Sequence, residues 1–457
     1  MVRSCDVSFF SNPPSLHAET MPARITTRHA SLLTLELTIE LNGSMLDMEN
    51  NIQDELNKAG CLATAEALKQ FDADGQPIIL SQTKLTARKE KASQHYESPY
   101  GTVSIERYLY QSNEGGYTYC PLEDGARIFL TATPRYAQII SGLYADGDGG
   151  RTCRTLYETL RRHTVKGNVQ NIAEAVASVA QMKEEKWEYD IPTPDTKVAS
   201  IGVGLDGAYV LFRDEGWREA MCGTISLYDK KGERLHTSYF AAPPEYGKQK
   251  FHEKMDKEIT RFRSLYEQAT VIGLGDGAKD NWTFLEQHAD ELVLDFWHAS
   301  EYLYKAADAY WGSSMKWKES KEEWLDHWHH ILKHESRGAQ LLLYELQERK
   351  EELSGSKAES VQKTITYISN HLSLMNYGSF VDGCFPIGSG VTEAACKTVV
   401  KSRMCVSGAG WSPRGCGIVL TLRTLHMTKT TWDSFWTKII RYGLPDAKKI
   451  GRLTTNE

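Results

Sequence analysis

The sequence predicts a multidomain α/β protein, with one α/β core interrupted by an all-helical insertion and preceded by small β-hairpin and helical modules. Three observations carry this. Between residues 198 and 297, strand-like and helix-like segments alternate in the order of an α/β domain. From 299 to 376, apolar residues recur at helical spacing, with a break at Ser354–Gly355. At 457 residues, the chain has room for roughly two to four domains of ~100–200 residues each.

Composition narrows the class. A hydrophobic share of 41% with 25% charged residues suits a globular chain that buries a large core. No run reaches the ~18 apolar residues of a membrane span. The stretch "MVRSCDVSFFSNPPSLHAET" lacks an apolar signal core, so a cytoplasmic location is expected, with the first twenty or so residues disordered. The nine cysteines contain no CxxC pair and read as reduced thiols. Cys384, Cys396, Cys405 and Cys416 are too evenly spread for a zinc site and read as small buried residues. The net charge of −7 argues against a nucleic-acid binder, but the distribution of charge matters more than the sum.

Residues 1–90 read as mostly helical, on the strength of 29–70 and its acidic face around "DMENNIQDELNKAG". Residues 91–149 read as a β-hairpin module. "TVSIERYLYQ" alternates like a strand, "SNEGG" turns, and "YTYCPL" begins a second strand. Residues 150–190 read as two amphipathic helices flanking "VKGN", either a helix-turn-helix or a plain helical hairpin with a basic surface. Arg161, Arg162 and Lys166 are its candidate DNA contacts. The prolines of "EYDIPTPDTK" mark a linker.

The core is expected at 195–304 plus 380–430. "VASIGVGLDGAYVLF", "AMCGTISLYD" and "RLHTSYFAA" are three consecutive strands. A helix at about 246–267 leads to "ATVIGLGDG", a continuous apolar strand of the buried parallel kind. A helix from "KDNWTFLEQH" and the strand "ELVLDFW" follow. This order matches a ribonuclease-H-like topology. Residues 305–379 form the helical insertion, and 431–457 a C-terminal helix and tail.

Two acidic residues stand out. Asp206 shares a strand face with Ser200, Gly202 and Gly204, which reads as bare and open to a ligand. Asp276 ends the fourth strand, where parallel sheets place ligands, and the topology sets it beside the first strand. Glu393 follows in "FPIGSGVTEAACKTVVKSRM", at the head of a helix that is otherwise basic. Converging carboxylates repel unless cations intervene. Two Mg²⁺ ions, replaceable by Mn²⁺ and ~3.5–4 Å apart, resolve this and suit phosphodiester chemistry. Lys397 and Lys401 fall on the stripe of Glu393. From Ala394 to Thr431 there is no acid, but Lys397, Lys401, Arg403, Arg414, Arg423 and Lys429 are present. That is an electrostatic funnel for phosphates.

The segments "VGLDGAYV", "VIGLGDGAKDNW", "DFWHASEYLYKAA", "GSGVTEAACKTVVKSRM" and "SGAGWSPRGCGIVLTLRTL" with "WDSFW" resemble DDE-type transposases of the ISKra class of bacterial insertion sequences. "YGTVSIERYLY" and "GGYTYCPL" look like that family's N-terminal module. The resemblance covers about 195–436 well and the first 90 residues weakly. It implies a ribonuclease-H-like core with Asp206, Asp276 and Glu393 as the metal-binding catalytic triad. Its expected partners are transposon-end and target DNA, in a homodimer or larger assembly near the nucleoid. No membrane or nucleotide cofactor is implied.

Other features carry less. "GVGLDG" fits GxGxxG, but a strand follows where a dinucleotide site needs a helix. His327, His329, His330 and His334 lack an HExxH frame and read as polar helix positions. His298 is either a site neighbour or a cap. Asp280 reads as a cap, Asp295 as a spare carboxylate, and Trp282 and Trp411 as packing rather than base-stacking residues. The rival functions are a domesticated, non-catalytic DNA-binding protein and a structure-specific nuclease on the same fold.

Overall fold

The computed structural model describes residues 23–29, 31–80, 82–245, 248–312 and 314–445. The expected disorder of the first twenty or so residues therefore lies outside the described residues, as does the tail beyond 445. The chain divides into two compact units, residues 1–144 with 148–176 and 439–457, and residues 145–147 with 177–438. The division falls at 176/177, ahead of the proline linker.

The first unit begins with an antiparallel pair, β1 (Arg24–His29) and β2 (Leu32–Glu36), then α1 (Met45–Lys69). The helical reading of 29–44 is thus corrected: "RITTRHASLLTLE" carries three Thr and an Ile, β-branched residues that favour a pleated backbone. α1 starts where Ser44 accepts from the Asp47 N–H and Asp47 reaches back to the Ser44 N–H. Next come β3 (Ile78–Leu80), β4 (Thr83–Ala87), β5 (Ala92–Glu97), β6 (Thr102–Arg107), β7 (Tyr110–Ser112) and β8 (Gly115–Tyr119). β5 pairs with β6, while the other four form a sheet of order β3-β4-β7-β8. Tyr96, Val103 and Ile105 of the β5–β6 pair pack with Leu122 and Ile128 in one buried cluster. The helices α2 (Pro121–Gly125), α3 (Pro134–Asp146), α4 (Gly149–Leu160) and α5 (Lys166–Lys183) follow. So the hairpin module also carries helices.

The turn between α4 and α5 is not "VKGN", because Lys166 already begins α5. Arg161 ends α4 in the left-handed region, at φ 56°. Two of this module's three expected DNA contacts are also occupied. Arg162 is buried and ion-paired with Glu97, and Arg161 lies 3.3 Å from Asp54. Lys166 is exposed.

The second unit holds β9 (Ser200–Phe212), β10 (Gly216–Tyr228), β11 (Arg234–Ala242), α6 (Gln249–Leu265), β12 (Thr270–Gly275), α7 (Lys279–Leu285) and β13 (Glu291–Leu294). Its sheet has the order β11-β10-β9-β12-β13. β9, β10 and β11 run antiparallel, β12 lies parallel to β9, and β13 is parallel to β12. On one face, Phe251, Met255, Ile259 and Phe262 of α6 bury themselves against Val203, Leu205 and Ile225. Each such side chain contributes ~1.5–3 kcal/mol.

The helices α8 (Phe296–Trp311), α9 (Lys318–His334), α10 (Gly338–Lys350), α11 (Gly355–His371) and α12 (Tyr377–Asp382) form the helical region. α8 runs unbroken across 304/305, so the insertion has no boundary there. A further break falls after His334, where Gly338 packs on the preceding backbone. A Cβ on Gly338 would fall 2.3 Å from the Ile331 carbonyl oxygen. On the second sheet face lies a helical run: α13 (Gly390–Ala395), a π-helical stretch Cys396–Lys401, and α14 (Ser402–Met404). α15 (Pro413–Met427) and α16 (Lys429–Tyr442) end the described chain. No helix of the described residues is long and apolar enough to cross a membrane.

Candidate active site

Register brings Asp206 and Asp276 together. Leu274 of β12 pairs with Gly204 of β9. Asp206, two residues on from Gly204, lies on the face that carries α13, and Asp276 follows the end of β12, two residues beyond Leu274. Both are half-buried. Asp206 Oδ1 accepts from the Gly207 N–H at 2.7 Å, and Asp276 Oδ1 from the Ala278 N–H at 3.1 Å. Gly277, at φ 107°, makes the turn from Asp276 to Ala278 possible.

The expectation of a bare face on β9 is corrected. A Cβ on Gly204 would fall 2.1 Å from Thr392 Oγ1, and one on Gly202 3.0 Å from the Tyr228 ring and 3.6 Å from Pro386. The glycines admit α13 and its leading loop rather than a ligand. That close approach brings Glu393 to the sheet.

Glu393 lies in the first turn of α13, with its side chain 39% exposed. Its Oε1 accepts from Ser389 Oγ at 3.1 Å and stands 3.8 Å from His298 Nδ1. Asp295, fully buried, ties the loop to α8. One of its oxygens accepts from the His298 N–H at 2.7 Å, and the other from the Ser389 N–H. Its own N–H donates to the Gly275 carbonyl at 2.8 Å. Asp295 is thus the cap of α8, not a spare carboxylate. Asp280 does not cap α7, whose cap position is Ala278.

Ligand atoms of Asp295, His298 and Glu393 all lie within 4.8 Å of one another. Among the described residues, no other set of three such side chains converges this closely. Asp206 and Asp276 therefore share a sheet face with Glu393 without all three being drawn into one such cluster. His298 Nδ1 is buried and has no hydrogen-bond partner. An orphaned imidazole nitrogen beside one half-exposed carboxylate and one buried one fits a divalent cation. The oxygen-rich pair Asp206 and Asp276 fits a harder one.

The helical region also reaches this site. Tyr367 Oη donates to the Asp276 carbonyl at 3.4 Å, and His371 Nδ1 bonds the Tyr367 carbonyl at 2.8 Å. Burial, the stacked Tyr302 and the charges of Asp276 and Asp295 raise the Tyr367 pKa. Helical periodicity alone gave no sign that these residues face Asp276.

The basic run is only partly a funnel. Lys397, Lys401, Arg414 and Lys429 are exposed. Arg403 is buried with its guanidinium 5.1 Å from the Trp411 ring, and Arg423 is buried among backbone carbonyls. Neither can meet a phosphate. Their burial follows from the apolar residues around them, Val399, Val400 and Met404 for one and Leu420, Leu422 and Leu425 for the other. Trp282 is buried against Gly275, and Trp411 donates to the Met404 carbonyl at 2.9 Å. No family model matches the chain, and no curated protein matches its sequence.

Proposed function

We propose that the chain is a DDE-type transposase with a ribonuclease-H-like core, which hydrolyses the phosphodiester at transposon ends and joins the freed 3′-OH to target DNA. One observation carries the reading: Asp206 of β9 faces the helix of Glu393, Asp276 follows the end of the neighbouring strand β12, and exposed Lys397 and Lys401 continue that helical run. The strand order β11-β10-β9-β12-β13 supports it. Asp206, Asp276 and Glu393 present carboxylate oxygens, and His298 a ring nitrogen. Two bound divalent cations, Mg²⁺ or Mn²⁺, would activate the attacking water or 3′-OH and offset charge on the leaving oxygen. Lys397, Lys401 and Arg414 meet the DNA backbone. Asp295 and Ser389 hold the Glu393 loop in place, and Tyr367 steadies the Asp276 turn. Work at two DNA ends calls for a homodimer or larger assembly.

The test is nicking of labelled duplexes that carry the DNA flanking the gene. Wild-type protein with Mg²⁺ should nick them. Asp206→Asn, Asp276→Asn and Glu393→Gln should each lose ~10²-fold or more, the scale of removing one charge-stabilising group. Equal nicking by wild type and variants, or by neither, removes the enzyme claim and favours a non-catalytic DNA binder. Cleavage of branched DNA regardless of sequence would point to a structure-specific nuclease.

A further inference from the structure

The contacts of α13 fix which residue stands over Asp206. Thr392 sits above Gly204, and its hydroxyl shares a 2.7 Å hydrogen bond with Thr224. Gly204 and Thr224 are cross-strand partners, and two residues further along the ladder the pair is Asp206 and Cys222. Two strand residues span about 6.6 Å. Four helical residues rise about 6 Å. The residue four beyond Thr392 is Cys396, which therefore stands over the Asp206–Cys222 pair. The run continues in this direction, because Cys405 Sγ bonds the Tyr209 carbonyl at 3.3 Å.

The local backbone reinforces this placement. The helix turns π-helical at Cys396, a local widening frequent at functional sites. Arg423 holds that widened turn by donating to the carbonyls of Thr398 and Val399. Cys222 and Cys396 are almost fully buried. The Cys396 thiol thus lies buried beside the Cys222 thiol and the Asp206 carboxylate. Such a thiol is a hydrogen-bond donor and a poor nucleophile.

We propose that Cys396 is a positioning residue whose thiol donates to the Asp206 carboxylate and fixes its orientation towards the cation site, with Cys222 backing the thiol. This rests on the reading of Asp206 as a cation ligand. A carboxylate offers about four lone-pair sites. The Gly207 N–H and the Cys396 thiol take two and leave the remainder facing outward. Donors behind a ligand of this kind raise metal affinity by fixing its geometry.

The test is Mn²⁺ affinity, followed by electron paramagnetic resonance on the full chain without DNA. Cys396→Ser keeps a donor and should bind Mn²⁺ within about twofold of wild type, whereas Cys396→Ala should bind about tenfold more weakly. Cys396→Val fills the volume without a donor and should match the alanine variant, which covers the case where the alanine variant folds poorly. Asp206→Asn sets the reference for a lost ligand. Wild-type affinity in Cys396→Val, or equal losses in Cys396→Ser and Cys396→Val, would overturn the positioning role. Unchanged affinity in Asp206→Asn would instead overturn the assignment of Asp206 as a ligand.

Discussion

Arg423 shows how burial reverses the role of a charge. Its Nε donates to the Val399 carbonyl at 2.6 Å, and one terminal nitrogen to the Ala145 carbonyl at 2.5 Å. The other reaches the Thr398 carbonyl, and Ser402 Oγ at 3.2 Å. Arg423→Met keeps the length and removes every donor. The Thr398 carbonyl keeps the Ser402 hydroxyl as a donor, and each of the other two buried carbonyls left without Arg423 costs ~1–3 kcal/mol, so the variant should lose at least about 2 kcal/mol in urea unfolding. A loss below about 1 kcal/mol, the scale of one ordinary hydrogen bond, would refute this role. From the sequence, Arg423 belonged to a run of cations assigned to phosphate. The contrary signal was the helix around it, "GIVLTLRTL", which is apolar on nearly all sides and so had to be buried. Arg162 is different: its partner Glu97 lies 65 residues away, a pairing no local pattern shows. Asp206, Asp276 and Glu393 stood out because a carboxylate among strand glycines, an acid at a strand end and a lone acid on a basic helix are local features. Asp295, Tyr367 and Cys396 were not, since their relevance depends on which elements meet.

The meeting of α13 and β9 decides where Glu393 stands, and glycine controls it. Gly204→Ala would place a Cβ 2.1 Å from Thr392 Oγ1, an atom held by its bond to Thr224. Overpacking of this kind costs ~1–3 kcal/mol. Thr392→Ala removes that oxygen, so the double variant should recover part of the loss, with a coupling above ~0.5 kcal/mol in a double-mutant cycle. Strictly additive losses would mean that the helix does not rest on Gly204. The same contact explains a misreading. Glycines on a strand face indicate close approach by something, but the sequence does not tell a ligand from a helix. The core strands were legible because continuous apolar runs such as "TVIGLG" have few alternatives. The β1–β2 pair was missed because it is short, mostly exposed and runs into a strongly helical segment.

For the molecule as a whole, acidic pH opposes the fold of the second unit through half-buried histidines. His236, His252 and His329 all lie in that unit, and burial lowers each pKa below the ordinary value. At His252, Lys248 acts in the same direction, while Asp280 and Glu245 oppose it. Its ring stacks on Phe284 at 4.9 Å, and its Nε2 is buried without a hydrogen-bond partner. His329 contacts the Phe296 and Tyr304 rings, with Asp326 the opposing charge. With folded pKa values depressed, the unfolded chain binds more protons just below the usual histidine range. Stability is therefore present above that range and is lost as pH falls through it. The urea midpoint of this unit should drop as pH goes from about 7 to about 5, the range of histidine titration. His252→Phe keeps the ring stack and cannot charge, so its midpoint should fall less steeply than that of wild type. Parallel profiles would assign the acid sensitivity elsewhere. The net charge of −7 works the other way, because protons taken up by histidines below pH 7 first bring the chain towards neutrality and ease repulsion. A drop in this window thus reports the half-buried rings.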